Sequence, residues 1–249
     1  MKKSRSSGRR ESKSRGNSQG KTRGGSNQGF EPTPVQDYQE ERDQAPIQPK
    51  TPNQGRLCEA VINSTVVIVT GPPGTGKTWL PSAIAAEALR AKDIERIIIT
   101  RPTVQCGERV GEIPGDALDK FAPYTYPVMD VLCERPGGSY VESLAKAGRI
   151  KPIQLQFMRG SSINDAFILA DEMQNATAEQ IEMLLTRIGQ NCTVVLNGDL
   201  RQKDIRNSGL RDAIRRLKKV RGITIIEMTR EDIVRSGIVR DIVDAYDED

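Results

Sequence analysis

The sequence predicts an α/β domain: a parallel sheet with helices on both faces. Three observations carry this. From about residue 65, apolar β-branched runs alternate with helix-period segments, as repeated β-α-β units require. Several runs are continuous rather than alternating, which suits strands covered on both sides. Residues 1–50 differ in composition from the rest, so the fold belongs to the remaining 199 residues (249 − 50). That is an ordinary size for one α/β domain.

In chain order, TVVIVTG (65–71) reads as a buried strand ending in glycine. Residues 76–92 read as a helix, with Pro81 tolerated near its first turn. RIIIT (96–100) is the next strand, and 102–150 is irregular, with short helices and loops expected. IQLQF (153–157) alternates as a strand, and AFILAD (166–171) is a further buried run. Thr177 and Gln180 form a capping-box pattern, after which Ile181, Leu184, Leu185 and Ile188 share one helical face. TVVLNGD (193–199) is a strand, Leu210, Ala213, Ile214 and Leu217 mark a helix, and ITIIEM (223–228) is the last strong strand.

Composition excludes several chemistries. Histidine is absent, which removes Ser-His-Asp and Cys-His nucleophiles, His-ligated zinc and an imidazole base. Cys58, Cys106, Cys133 and Cys192 never approach CxxC spacing, so neither a Cys₄ zinc site nor a disulfide framework is expected, and a reducing cytoplasm suits the chain. No run of about 18 apolar residues appears, so no membrane span is expected. The N-terminus is basic but lacks the apolar stretch of a secretory signal.

Charge is uneven. Residues 1–50 hold 11 Lys/Arg and 6 Asp/Glu, against 26 and 27 over 51–249. The first 30 residues are Ser/Gly/Arg/Lys/Asn/Gln-rich, and Pro32, Pro34, Pro46 and Pro49 follow. Such a segment has too little apolar surface to offset ordering entropy, so 1–50 is expected to be a disordered basic tail and linker, with the domain at 51–249. A nucleic-acid-binding arm and a solubilising extension both fit the tail.

The chemistry concentrates at GPPGTGKT (71–78), which fits G-x-x-x-x-G-K-[ST] between a strand and a helix. Gly71, Pro72, Pro73, Gly74, Thr75 and Gly76 would bend the backbone around phosphate oxygens. Lys77 would bridge the β- and γ-phosphates, and the Thr78 hydroxyl would reach Mg²⁺. FILADE (167–172) supplies the partner strand: Asp171 would hold Mg²⁺ through water, and Glu172 would polarise a water aimed at the γ-phosphate. That favours hydrolysis over transfer to a small acceptor, as in a P-loop kinase. No N/T-K-x-D guanine-reading element occurs, so ATP is expected over GTP. Gln54, 23 residues before Lys77, has the chemistry to read adenine bidentately.

These residues, with PKTPNQ (49–54), the long stretches 97–124 and 157–177, LLTRIG (184–189), NGDLRQKD (197–204) and SGLRDAI (208–214), make the chain resemble the PhoH family of P-loop ATPases, relatives of the superfamily 1 helicase core. The resemblance covers roughly residues 49–246. It implies a RecA-like sheet, ATP hydrolysis, ring oligomers, of which a hexamer is one form, and action on RNA. It also implies that Thr100, Arg101 and Pro102 link the site to nucleic acid. Gly198, Asp199 and Gln202 fit G-D-x-x-Q, whose glutamine contacts the γ-phosphate. Arg187 and Arg235 become candidate γ-phosphate arginines, one of them reaching a neighbouring subunit. Met173 stands where the family has alanine, Ser236-Gly237 where it has His-Pro, and the PIN nuclease domain of some relatives has no counterpart here.

A single RecA-like lobe needs a neighbour to close its cleft, so the motor reading requires a homo-oligomer. The leading expectation is an oligomeric ATPase coupled to RNA or single-stranded nucleic acid. The alternative is an ATPase switch acting on a protein partner.

Overall fold

The structure is a computed structural model and describes residues 45–102, 125–160, 162–202 and 208–234. Of the tail and linker expected over 1–50, residues 1–44 lie outside the described residues, as do Ser161 and Arg235, while 45–50 pack on the domain through Ile47 and the Lys50 N–H bond to Gln54. Six parallel strands form one sheet in the order β3-β2-β4-β5-β1-β6. They are β1 Val66–Thr70, β2 Arg96–Thr100, β3 Ile150–Pro152, β4 Ala166–Ala170, β5 Cys192–Gly198 and β6 Ile223–Glu227. The P-loop follows β1 and leads into α2, so the expected RecA-like P-loop sheet is the one observed.

The helices are α1 Pro52–Asn63, α2 Trp79–Ala91, α3 Tyr126–Glu134, α4 Gly138–Lys146, α5 Ala178–Leu185 and α6 Gly209–Leu217. Strand alternation divides the core. Val67, Val69, Ile97, Ile99, Leu169 and Val195 pack beneath α1 to α4 through Leu57, Leu80, Leu89, Leu132 and Leu144. Their neighbours Ile68, Ile98, Ile168, Val194 and Leu196 pack beneath α5 and α6 through Ile181, Leu184, Leu210 and Ala213. All five residues of β1 and of β4 are buried, because each lies between two strands and two helical layers.

Three local features differ from the sequence expectation. Helix α1 is additional. Thr51 caps it by accepting from the Gln54 N–H at 3.2 Å, Pro52 occupies its first turn, and Leu57, Ala60 and Val61 face the core. Helix α2 starts at Trp79 rather than 76, because Gly74 and Gly76 take positive φ (84° and 85°) and cannot continue a right-handed helix. The strand expected at 153–157 is a correction. The edge strand is Ile150–Pro152, and Leu155–Phe157 form a 3₁₀ turn that buries Leu155 and leaves Phe157 63% exposed. Proline is tolerated at such an edge because no further strand needs its N–H.

The other strand and helix signals hold, except that α5 ends at Leu185, so Ile188 lies beyond it, in a bridge to Ile163. Thr177 accepts from the Gln180 N–H at 3.3 Å, while Gln180 Oε1 accepts from the Thr177 N–H at 2.9 Å, completing the capping box. Two short helices occupy part of the irregular stretch, as expected. Among the described residues, no helix is long and apolar enough to cross a membrane.

Candidate active site

In a parallel sheet all strands point the same way, so the loops leaving their carboxyl ends gather at one edge. Here those loops are the P-loop after β1, Asp171–Asn175 after β4, and Asp199–Gln202 after β5. Arg101 follows β2 at the same edge.

The P-loop is held from three sides. The Gly71 N–H donates to Gly198 O at 3.2 Å, and the Val234 N–H donates to Gly74 O at 3.2 Å. Gly71 has φ 144°, and a Cβ there would sit 2.5 Å from Met228 O, so no larger residue fits. Lys77 Nζ donates to Pro72 O at 3.1 Å. Asn197 Nδ2 donates to Thr78 Oγ1 at 2.8 Å, fixing the hydroxyl. Lys77, Thr78, Asp171 and Asn197 line one small cavity.

Gln54 also lies at the P-loop, but both ends of its amide are engaged. Nε2 donates to Thr75 O at 3.0 Å, and Oε1 accepts from the Lys50 N–H at 2.7 Å. At 3% exposure it braces the loop from behind, instead of offering a free amide edge to a base.

Asp171 is 8% exposed. Burial, and then repulsion from Glu172, push its pKa above the usual carboxylate value, with Arg101, the Glu172 N–H and Lys77 opposing. Glu172 sits in the left-handed region at φ 55° and ψ 35°, a conformation that costs a non-glycine residue energy and is common at active sites. Its carboxylate faces Arg101 Nη2 at 3.9 Å and accepts from Gln174 Nε2. Gln174, 1% exposed, accepts at its other end from the Asp199 N–H at 3.0 Å. Asp199 in turn caps its loop by accepting from the Arg201 N–H at 2.9 Å, and Gln202 follows, exposed.

Arg187 is not part of this gathering. It ends the turn after α5, where the Ile163 N–H bonds Arg187 O at 2.7 Å ahead of β4. That is the amino-end edge of the sheet, opposite the P-loop. Five strand residues at about 3.3 Å each separate the edges by roughly 16 Å. Arg187 therefore lies too far away to reach the γ-phosphate of its own chain. Arg159 and the basic residues Arg211, Arg215, Arg216, Lys218 and Lys219 are exposed, and Asp212 pairs with Arg215 and Arg216. Asn164 is exposed, and its Oδ1 accepts from the Gln190 N–H at 2.8 Å.

Sequence reasoning gave no role to Asn197, Gln174 or Asp232. Asn197 announces itself as the one polar side chain inside the apolar run TVVL-N. Asp232 accepts from Thr51 Oγ1, from Asn53 Nδ2 at 2.8 Å and from the Thr229 N–H at 2.7 Å, tying the segment that carries Gln54 to the chain after β6.

A family model described as PhoH-like protein matches residues 46–247. The chain belongs to the PhoH-like family. A PhoH-like protein of Mycobacterium bovis is 46% identical over 203 residues, covering 80% of this chain and 58% of that protein. Protein PhoH of Escherichia coli K12 is 40% identical over 210 residues, covering 82% and 59%. The chain thus spans about three fifths of the length of these relatives. Among solved structures, Pif1 helicase from Candida albicans aligns at 15% identity and a TM-score of 0.34, over 73% of this chain and 41% of that one.

Proposed function

We propose that this chain is an Mg²⁺-dependent ATPase whose turnover is coupled to RNA or other single-stranded nucleic acid, acting as a homo-oligomeric ring. The observation that carries the ATPase reading is the meeting of Lys77, Thr78 and Asp171 at one cavity, with Glu172 adjoining at the carboxyl edge of the sheet.

The donor set fits the ion. Among the described residues no group of three or more His, Cys, Asp or Glu side chains gathers to cage a metal. A buried carboxylate beside a threonine hydroxyl is instead the hard-oxygen pair Mg²⁺ takes together with substrate phosphates. Thr78 and Asp171 would hold it, the latter through water, and the bound ion would neutralise charge on the phosphate oxygens. Lys77 exchanges the Pro72 carbonyl for phosphate oxygens. The P-loop N–H groups and the start of α2 surround the β-phosphate. Glu172 takes the proton of the attacking water, with Arg101 and Gln174 fixing its carboxylate.

The ring reading rests on the single lobe and on Arg187. At the far edge of its own sheet, where its Nη1 donates to Gly160 O at 3.1 Å, Arg187 fits a role toward a neighbour's nucleotide and not its own. Arg235 is the other candidate arginine and lies outside the described residues. Arg101 supports nucleic-acid coupling, because it touches Glu172 from the segment that the family resemblance links to the strand. The test is the ATPase rate of the full chain with and without single-stranded RNA. Stimulation supports the coupling, and indifference moves the function to a switch acting on a protein.

A further inference from the structure

We propose that Gln174 is the positioning residue that ties the Glu172 carboxylate to the Gly198-Asp199 turn, so that the water-activating group and the loop leading to Gln202 move as one unit. The inference rests on the reading of Glu172 as the group that activates water.

The geometry leaves the amide no freedom. At 1% exposure its Nε2 donates to Glu172 and its Oε1 accepts from the Asp199 N–H at 3.0 Å. A buried amide bonded at both ends has one orientation, since a flip would set the carbonyl against the carboxylate and the NH₂ against an N–H. The space for it is reserved: a Cβ on Gly198 would lie 2.7 Å from Gln174 Oε1 and 3.0 Å from the Gln174 backbone N. Glu172 is held in left-handed backbone, so its side chain depends on these outside contacts for its aim. Arg101 at 3.9 Å offers charge but loose geometry, which leaves the short Gln174 bond as the directional one. Any displacement of Asp199 when the loop toward Gln202 engages a γ-phosphate reaches Glu172 through a single side chain.

The experiment measures kcat and KM for ATP in the full chain for four proteins: parent, Gln174→Met, Glu172→Gln and the double variant. Methionine keeps the volume and removes both bonds. Gln174→Met is expected to lower kcat by about 10- to 100-fold, the scale of a lost hydrogen bond to a charged group, with KM within about twofold. In the Glu172→Gln background the same change should cost markedly less than in the parent, because the part of its effect carried by that carboxylate is already gone. Gln174→Glu keeps an acceptor for Asp199 and, at a pH high enough to ionise both carboxylates, has no proton to donate to Glu172, so there it should lose kcat like the methionine variant. It decides the question if the methionine variant does not fold. Parent-like kcat in Gln174→Glu, or additive losses in the double variant, overturns the proposal. A fully active Glu172→Gln instead overturns the assignment of the water-activating residue, an outcome read from a different protein in the set.

Discussion

Replacing Gln54 by alanine separates two roles for one amide. In the structure it donates to Thr75 O at 3.0 Å and accepts from the Lys50 N–H at 2.7 Å. Alanine removes both bonds. Lys50 is exposed, so water replaces that bond at a net cost of about 1 kcal/mol. Thr75 is 0% exposed, so its carbonyl loses its partner in a dry site, at about 1–3 kcal/mol. The sum is roughly 2–4 kcal/mol, and a domain of this size loses about 2–4 °C of Tm per kcal/mol. Thermal unfolding followed by circular dichroism should therefore show Tm lower by roughly 5–15 °C. Because the P-loop itself loosens, KM should rise for ATP and GTP by the same factor, leaving the ratio of their kcat/KM values within about twofold of the parent. A parent-like Tm together with a lost preference for ATP would refute the bracing role and restore Gln54 as the reader of the base.

Glu172→Gln should retain nucleotide binding and hydrolyse ATP at least about 100-fold more slowly, measured as steady-state phosphate release. Arg187→Ala should bind ATP but fail to hydrolyse it, and mixing it with Lys77→Ala subunits should restore turnover; no recovery on mixing removes the trans role. Asp171→Asn should lose Mg²⁺-dependent nucleotide affinity yet raise the Tm of the nucleotide-free protein. The raised pKa means that folding disfavours the charged carboxylate, so the gain is full above the folded-state pKa and vanishes below the ordinary value of 3.8, checked by melting across pH. Asp232 behaves oppositely. Burial raises its pKa, but the bonds from Asn53, the Thr229 N–H, Thr51 and Thr229 Oγ1 outweigh it and leave the pKa lowered. Its stabilisation is complete above 3.8 and is lost as pH falls through the lower folded-state value, so Asp232→Asn should flatten the acid limb of the stability curve.

What the sequence made legible follows from how local each signal is. Strands β1, β4 and β5 read directly, because a strand covered on both faces needs a continuous apolar run and few other structures do. Edge strand β3 did not, since Ile150–Pro152 pair with β2 alone, while I-Q-L-Q-F alternates without forming a strand. Helix α1 carries the same T-x-x-Q spacing at Thr51 and Gln54 that announced α5. Its opening Pro-Asn-Gln-Gly hides the apolar period, which begins only at Leu57.

The site divides along the same line. Phosphate binding needs successive backbone N–H groups, a lysine and a hydroxyl within one turn, so the P-loop is contiguous and visible. The contacts that aim those groups are set by strand register. Pairing of Val69 with Asn197 and of Ala170 with Leu196 places β5 between the strand that leads to Lys77 and the strand that leads to Asp171. Asn197 then faces α2 and reaches Thr78, while Gly198, one residue on, faces α5 and α6 and leaves room for Gln174. Side-chain alternation along one strand thus sends successive residues to the two halves of the site. No residue of β5 is assigned to phosphate, yet the bonds that fix Thr78 and Glu172 run through its carboxyl end and the residue after it. A one-residue slip of β5 would exchange the two faces and break both supports at once, so the hydrolytic geometry depends on the register of a strand that the P-loop motif never mentions.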